Sequence, residues 1–121
     1  MNEIEFKEIT KQLALRTINL ANSLPNTVAA QVIGRQIIRS ATSSAANYRA
    51  ACRGKSPADM LHKLTIVEEE ADETMYWLEL LADSGMIPRN RLDALLNDFN
   101  EVVSMTVVSI KTLKSKKKSD D

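Results

Sequence analysis

Four arginines, Arg35, Arg39, Arg49 and Arg53, recur at spacings that set them within an arc of about 80° if the segment carrying them is helical. A guanidinium group is a planar, permanently charged fork of donors, so such a row suits two chemistries: contact with nucleic-acid phosphates, or bidentate pairing with carboxylates. Lys55 prolongs the row, and Lys116, Lys117 and Lys118 add a second basic run near the C-terminus. The carboxylates able to answer it are Glu68, Glu69, Glu70, Asp72 and Glu73, and the pairing could be with those of a neighbouring subunit.

Catalytic chemistry has less to work with. His62 and Cys52 are the single residues of their types, fall on different helices and lack a third group to orient either one. Asp59 and His62 have the spacing used by di-iron carboxylate sites, but those need paired Glu-x-x-His motifs on facing helices. The helix before them has no carboxylate at all. Arg53-Gly54-Lys55-Ser56 lacks the upstream glycine and strand of a phosphate-binding loop. No catalytic residue, metal site or cofactor is expected, and the chain reads as a protein that is not an enzyme. Cys52 has no partner for an internal disulfide and lies on an apolar edge, as a structural thiol would.

The elements that position these groups are helical. Only three Gly and three Pro occur in 121 residues, and the breaks they make are well separated. The first helix is predicted over about 3–21, with Phe6, Ile9, Leu13, Leu20 and Leu24 as its apolar stripe, and Pro25 stops it. The second runs over about 28–53, capped by Asn26 or Thr27. Ile33, Ile37, Ala41, Ser44, Ala45, Tyr48 and Cys52 form its inward edge, opposite the arginines. Gly54 is placed at its left-handed C-terminal position, and Gly34 at a point of tight packing. Ser56-Pro57-Ala58-Asp59 is the clearest start signal, with Ser at the cap, Pro at the first helical position and an acid two residues on. The third helix extends to about Asp83, with Gly85 near its end. The fourth runs from about Pro88 to Lys114. Four helices with short connections make an all-α, up-down-up-down antiparallel four-helix bundle over 1–114, followed by a basic disordered tail, 115–121.

Charge is segregated along this order. Residues 1–55 hold eight Lys/Arg against three Asp/Glu, whereas 56–110 hold three against eleven, and the whole chain sums to zero. Opposite fields on different helices suit self-association or an anionic partner. No apolar run is long enough to span a bilayer, and the N-terminus has no leader pattern, so a soluble cytoplasmic protein without membrane partners is expected.

The third helix has two apolar sides. Met60, Leu64, Val67, Ala71, Met75, Leu78 and Ala82 make its core stripe, while His62, Ile66, Glu73, Tyr76, Trp77 and Leu80 gather roughly opposite. Leu15 and Ile18 give the first helix a second side as well. Large aromatic residues outside the intramolecular core mark an interface, so these eight residues are predicted to lie between copies of the chain.

The stretch 40–81 also carries a resemblance. Ala46-Asn47-Tyr48-Arg49, the break at Lys55-Ser56, His62-Lys63-Leu64, and Glu73-Thr74 followed by Tyr76-Trp77-Leu78 are similar to the signature of the 23S ribosomal RNA intervening-sequence proteins. That resemblance implies a four-helix bundle assembled as a ring-like homo-oligomer, a pentamer in typical members, with no catalytic residue. It implies that Asn47 and Tyr48 pack between helices and that Glu73 and Trp77 sit at the subunit seam. Related accessory proteins of diversity-generating retroelements join such a ring to a basic surface engaging nucleic acid and a reverse transcriptase. The resulting expectation is a non-enzymatic accessory protein of RNA, DNA or a ribonucleoprotein, with a reverse transcriptase or ribosomal component as a further partner. The alternative is an oligomeric scaffold or adaptor whose charges serve only assembly and docking.

Overall fold

The structure, a computed structural model, describes residues 2–120, with side chains over 2–116. Helix α1 spans Glu3–Asn22, α2 Val28–Cys52, α3 Pro57–Asp83 and α4 Asp93–Asp120, and a 3-10 turn, Arg89–Arg91, precedes α4. No strand occurs among the described residues, so the fold is all-α with four long helices. The backbone of α4 is helical beyond the end near Lys114 that the sequence suggests, while the side chains of Lys117 and Lys118 lie outside the described residues.

The starts of α1, α2 and α3 are each held by a capping side chain of the expected type. Asn2 accepts from the Glu5 amide at 2.9 Å, Thr27 from Ala30 at 3.2 Å and Ser56 from Asp59 at 3.1 Å. Asp59 reaches back to accept from the Lys55 amide at 3.3 Å, so two backbone donors around the start of α3 find side-chain acceptors. Gly85 ends α3 at φ 78°, a left-handed conformation that favours glycine. Gly54 does not adopt it. A Cβ there would stand 2.5 Å from Cγ of Met60 and 3.0 Å from the Ala51 carbonyl oxygen, so Gly54 serves the close approach of α3 to the end of α2.

Helix α2 packs against α1 on one side and α3 on the other, α4 packs against α3, and α1 meets α4 only lightly. The Phe6 and Tyr48 rings join α1 to α2 edge to face at 4.5 Å, and Thr74 Oγ1 donates to Ser40 Oγ at 2.8 Å across α2 and α3. The looser α1–α4 seam is bridged at the surface by Arg16 and Asp98, 2.6 Å apart. Phe99, Ile37, Leu78, Leu81, Leu92 and Val67 are fully enclosed in one shared core.

The predicted inward residues are buried or partly buried apart from Ile9, and several positions outside the predicted stripes are buried as well. Ile9 is 36% exposed, while Thr10 and Thr17 take inward positions on α1. Each hydroxyl donates to a carbonyl of its own helix, Thr10 to Lys7 at 3.0 Å and Thr17 to Leu13 at 2.8 Å, so neither is buried unpaired. Leu81 and Ile87, absent from the predicted stripes, are buried because the end of α3 and the following turn fold over the base of the core. Gly34 is less tightly confined than its sequence setting implies, since a Cβ would meet Leu24 Cδ1 at 3.4 Å and Ala21 Cβ at 4.0 Å, ordinary contacts. Gly34→Ala is therefore expected to stabilise the protein by about 0.5–1 kcal/mol through helix propensity. Urea unfolding would detect this, and a loss of stability would show that α1 has no room to accept the methyl group.

Candidate nucleic-acid interface

Helices α1 and α2 enclose an open groove of about 460 Å³ lined by Lys7, Glu8, Lys11, Ala45, Ala46, Arg49 and Arg53. Lys7 and Lys11 are one turn apart on α1, as are Arg49 and Arg53 on α2, so each wall presents a cation about every 6 Å. Ala45, partly buried, and Ala46, exposed, complete the lining. No salt bridge among the described residues neutralises any of the four cations, and the one carboxylate of the lining, Glu8, accepts from the Gln12 amide at 2.8 Å. Four like charges this close repel one another, and an anion between them relieves the repulsion.

The eight cations singled out in the sequence do not act as one surface. Arg49 and Arg53 enter the groove. Arg39 turns instead toward α3, where it is paired with Glu70 at 3.0 Å and with Glu73, whose carboxylate also accepts from the Trp77 indole at 3.0 Å. This arginine thus meets the predicted acids within its own chain. Arg35 is exposed beside Asn22 and Gln31 at the far end of α2, and Lys55 is exposed in the connection between α2 and α3. Lys116 lines a different cleft, with Glu3, Tyr48 and Cys52.

Lys7 and Lys11 were not among the sequence candidates. The available signal was their shared helix edge, but placing them beside Arg49 requires the pairing of α1 with α2 that Phe6 and Tyr48 establish.

The predicted interface residues divide between two helices. His62 and Tyr76 on α3 are exposed, Tyr76 by 53%, and Ile66, Glu73, Trp77 and Leu80 are partly buried. Trp77 rests against the core and stands edge to face with Tyr76 at 5.2 Å. Leu15 is 44% exposed on α1 and Ile18 partly buried. Since α1 neighbours α2 and α4, the two sets form separate faces. Asn47 is held within α2, donating to the Ser43 carbonyl at 2.9 Å, whereas Tyr48 packs between helices as the resemblance implies.

Tyr48, Cys52 and Glu3 form a polar cluster at the cleft that Lys116 borders. Burial pushes the Tyr48 phenol well above its ordinary range, and the adjoining Cys52 adds to the shift. Burial also pushes the Cys52 thiol up, followed by its hydrogen bond to Glu3. Both groups are thereby kept neutral at physiological pH, and the thiol is a poor nucleophile there. Among the described residues no group of three or more His, Cys, Asp or Glu could hold a metal ion, and no helix is long and apolar enough to cross a membrane.

These features define an all-α, four-helix protein with an unneutralised cationic groove on one helix pair. It belongs to the 23S rRNA-intervening sequence protein family, whose model matches residues 2–108. A crystal structure of a protein of unknown function from the S23 ribosomal protein family, from Bacteroides thetaiotaomicron, is similar to it at 38% identity and a TM-score of 0.85. The similarity covers 92% of this chain and 99% of that one. No curated protein matches the chain at a significant level.

Proposed function

We propose that this protein is a non-enzymatic, oligomeric accessory protein that associates with nucleic acid or a ribonucleoprotein, holding phosphates in the groove between α1 and α2. The groove carries this reading, because four cations without salt-bridge partners line it together with one carboxylate and two alanines. The description of the family as 23S rRNA-intervening sequence proteins supports RNA as the anion, and a ribosomal component or a reverse transcriptase is the further partner that the resemblance implies. Such work belongs in the cytoplasm.

The same reading includes an up-down-up-down helix order and a ring, a pentamer by resemblance. Contacts of Phe6 with Tyr48, Ser40 with Thr74 and Arg16 with Asp98 support the helix order. A ring needs two different faces on each protomer, one to meet the other on the next copy. The side of α3 around Tyr76 and the side of α1 around Leu15 supply two such faces on non-adjacent helices.

Anisotropy with fluorescent RNA, paired with sedimentation, tests both parts. Four phosphate contacts make affinity fall about a hundredfold between about 50 and about 200 mM salt. Arg49→Glu with Arg53→Glu is expected to abolish measurable binding while the sedimentation coefficient stays that of the wild-type oligomer. Wild-type protein that binds no RNA at low salt, combined with a variant that falls apart into single chains, would establish instead a scaffold whose charges serve assembly.

A further inference from the structure

We infer that the seam between α1 and α4 is a docking groove for a cationic amphipathic helix of a partner protein. It is a different surface from the cationic groove between α1 and α2, and its failure would leave the reading of that groove untouched.

The four helices do not close evenly around the core. Where α1 meets α4 only lightly, a groove of about 290 Å³ runs between them. Its bottom is apolar, since Phe6, Leu13 and Val102 line it and are themselves buried. Ile9 and Met105 line it nearer the surface, Ile9 being 36% exposed and Met105 partly buried. Ile9 belongs to the apolar stripe of α1, so the seam leaves uncovered a side chain of the kind that the other helix pairs enclose. The thioether of Met105 can adapt to the shape of an incoming side chain.

The polar part of the lining is acidic. Glu8 on α1 and Glu101 on α4 are exposed, and no salt bridge among the described residues includes either. Arg16 is the one cation in the lining, and Asp98 holds it at 2.6 Å. Three carboxylates against one paired guanidinium repel phosphate and attract a cation. The charge is thus the reverse of that in the groove between α1 and α2, so the two surfaces do not compete for one ligand.

The form of the occupant follows from what the groove can offer. No strand occurs among the described residues, so an extended peptide finds no sheet edge to pair with. A helix satisfies its own backbone and needs only an apolar stripe at i, i+4 and i+7 to enter an apolar groove. From Phe6 to Arg16 the seam follows α1 for about 15 Å, room for about three turns of such a helix. Lys or Arg beside the stripe would then meet Glu8 and Glu101, whereas a small apolar molecule would leave both acids unanswered.

The probe is a synthetic peptide of about 18 residues with leucine at i, i+4, i+7 and i+11 and lysine elsewhere. Its controls are a scrambled peptide of the same composition and one with glutamate in place of lysine. Titrated into the full-length protein at low salt, the probe is expected to bind at least about tenfold more tightly than either control. Methyl resonances of Ile9 and Met105 are expected to move on binding, and those of Ile66 and Leu80 on α3 to stay in place. Glu8→Gln with Glu101→Gln is expected to weaken the probe about three- to tenfold, the sum of two exposed charge pairs. Ile9→Lys, at a position already open to solvent, is expected to weaken it by about tenfold or more, as loss of an apolar anchor does. Circular dichroism and sedimentation are expected to match the wild type in both variants. Equal binding of the scrambled peptide, resonance shifts on α3 instead of the seam, undiminished affinity in the double glutamine variant, or no binding at all would each overturn the inference. An Ile9→Lys protein that folds but loses its wild-type oligomer would overturn it too, by assigning the seam to contact between copies of the chain.

Discussion

Phe99→Ala is expected to destabilise the protein by about 3–5 kcal/mol, the loss that follows when a large aromatic core residue is cut back to a methyl group. Phe99 is wholly enclosed and is the largest of the fully buried side chains. It lies on α4, which carries β-branched residues at Val102, Val103, Thr106 and Ile110 and so depends on packing more than on helix propensity. The core into which it projects includes Leu78 and Leu81 of α3 and Leu92, Leu95 and Leu96 beside it. Thermal unfolding should register a fall in midpoint of about 10–20 °C. Phe99→Leu keeps most of the volume and is expected to cost less than half as much. The measurement is best repeated at two protein concentrations, because an oligomer whose subunits stabilise one another unfolds at higher temperature when more concentrated. A cost below about 1 kcal/mol would mean that the space around Phe99 collapses freely and that the core is not closely packed there.

The helices were legible because their ends are written in residue types with one physical role. Ser56, Pro57 and Asp59 announce a start whichever way the chain folds, and Gly85 answers a local need for positive φ. The core of α3 was legible for a similar reason, since Leu64, Val67, Ala71 and Leu78 repeat at helical period and are all buried. Thr10 and Thr17 were not, because a hydroxyl that donates to its own helix can be buried without appearing apolar in the sequence. The candidate site was legible by half. A row of arginines on one helix edge follows from spacing alone, but which of them remain unneutralised depends on the neighbouring helices. Arg39 meets Glu70 and Glu73 on α3, whereas Arg49 and Arg53 face Lys7 and Lys11 on α1. Similar residues on one edge thus acquire opposite surroundings, and only the pairing of helices decides between them.

That pairing depends on the small residues between α2 and α3, so Ala71→Leu is expected to be the most damaging substitution that removes no contact. Thr74 and Ser40 carry side chains that reach only to the γ position, yet their hydroxyl oxygens are 2.8 Å apart, which requires the two backbones to approach closely. Ala41 and Ala71 are fully buried in the same core and leave no unoccupied volume for three more carbons. A leucine at 71 must adopt a strained rotamer or push the helices apart, at a cost of about 1–3 kcal/mol and more if both occur. Separation would also pull Thr74 from Ser40 and weaken the reach of Arg39 to Glu70, adding to the loss. The groove, on the opposite side of α2, shares no lining residue with this contact. Unfolding in guanidinium should therefore show the destabilisation at temperatures where affinity for RNA, measured on the still-folded protein, is unchanged. If Ala71→Leu proves neutral, the helices are not held at the separation the Ser40–Thr74 hydrogen bond implies. If affinity falls along with stability, the two sides of α2 are coupled and the groove depends on the packing of α3.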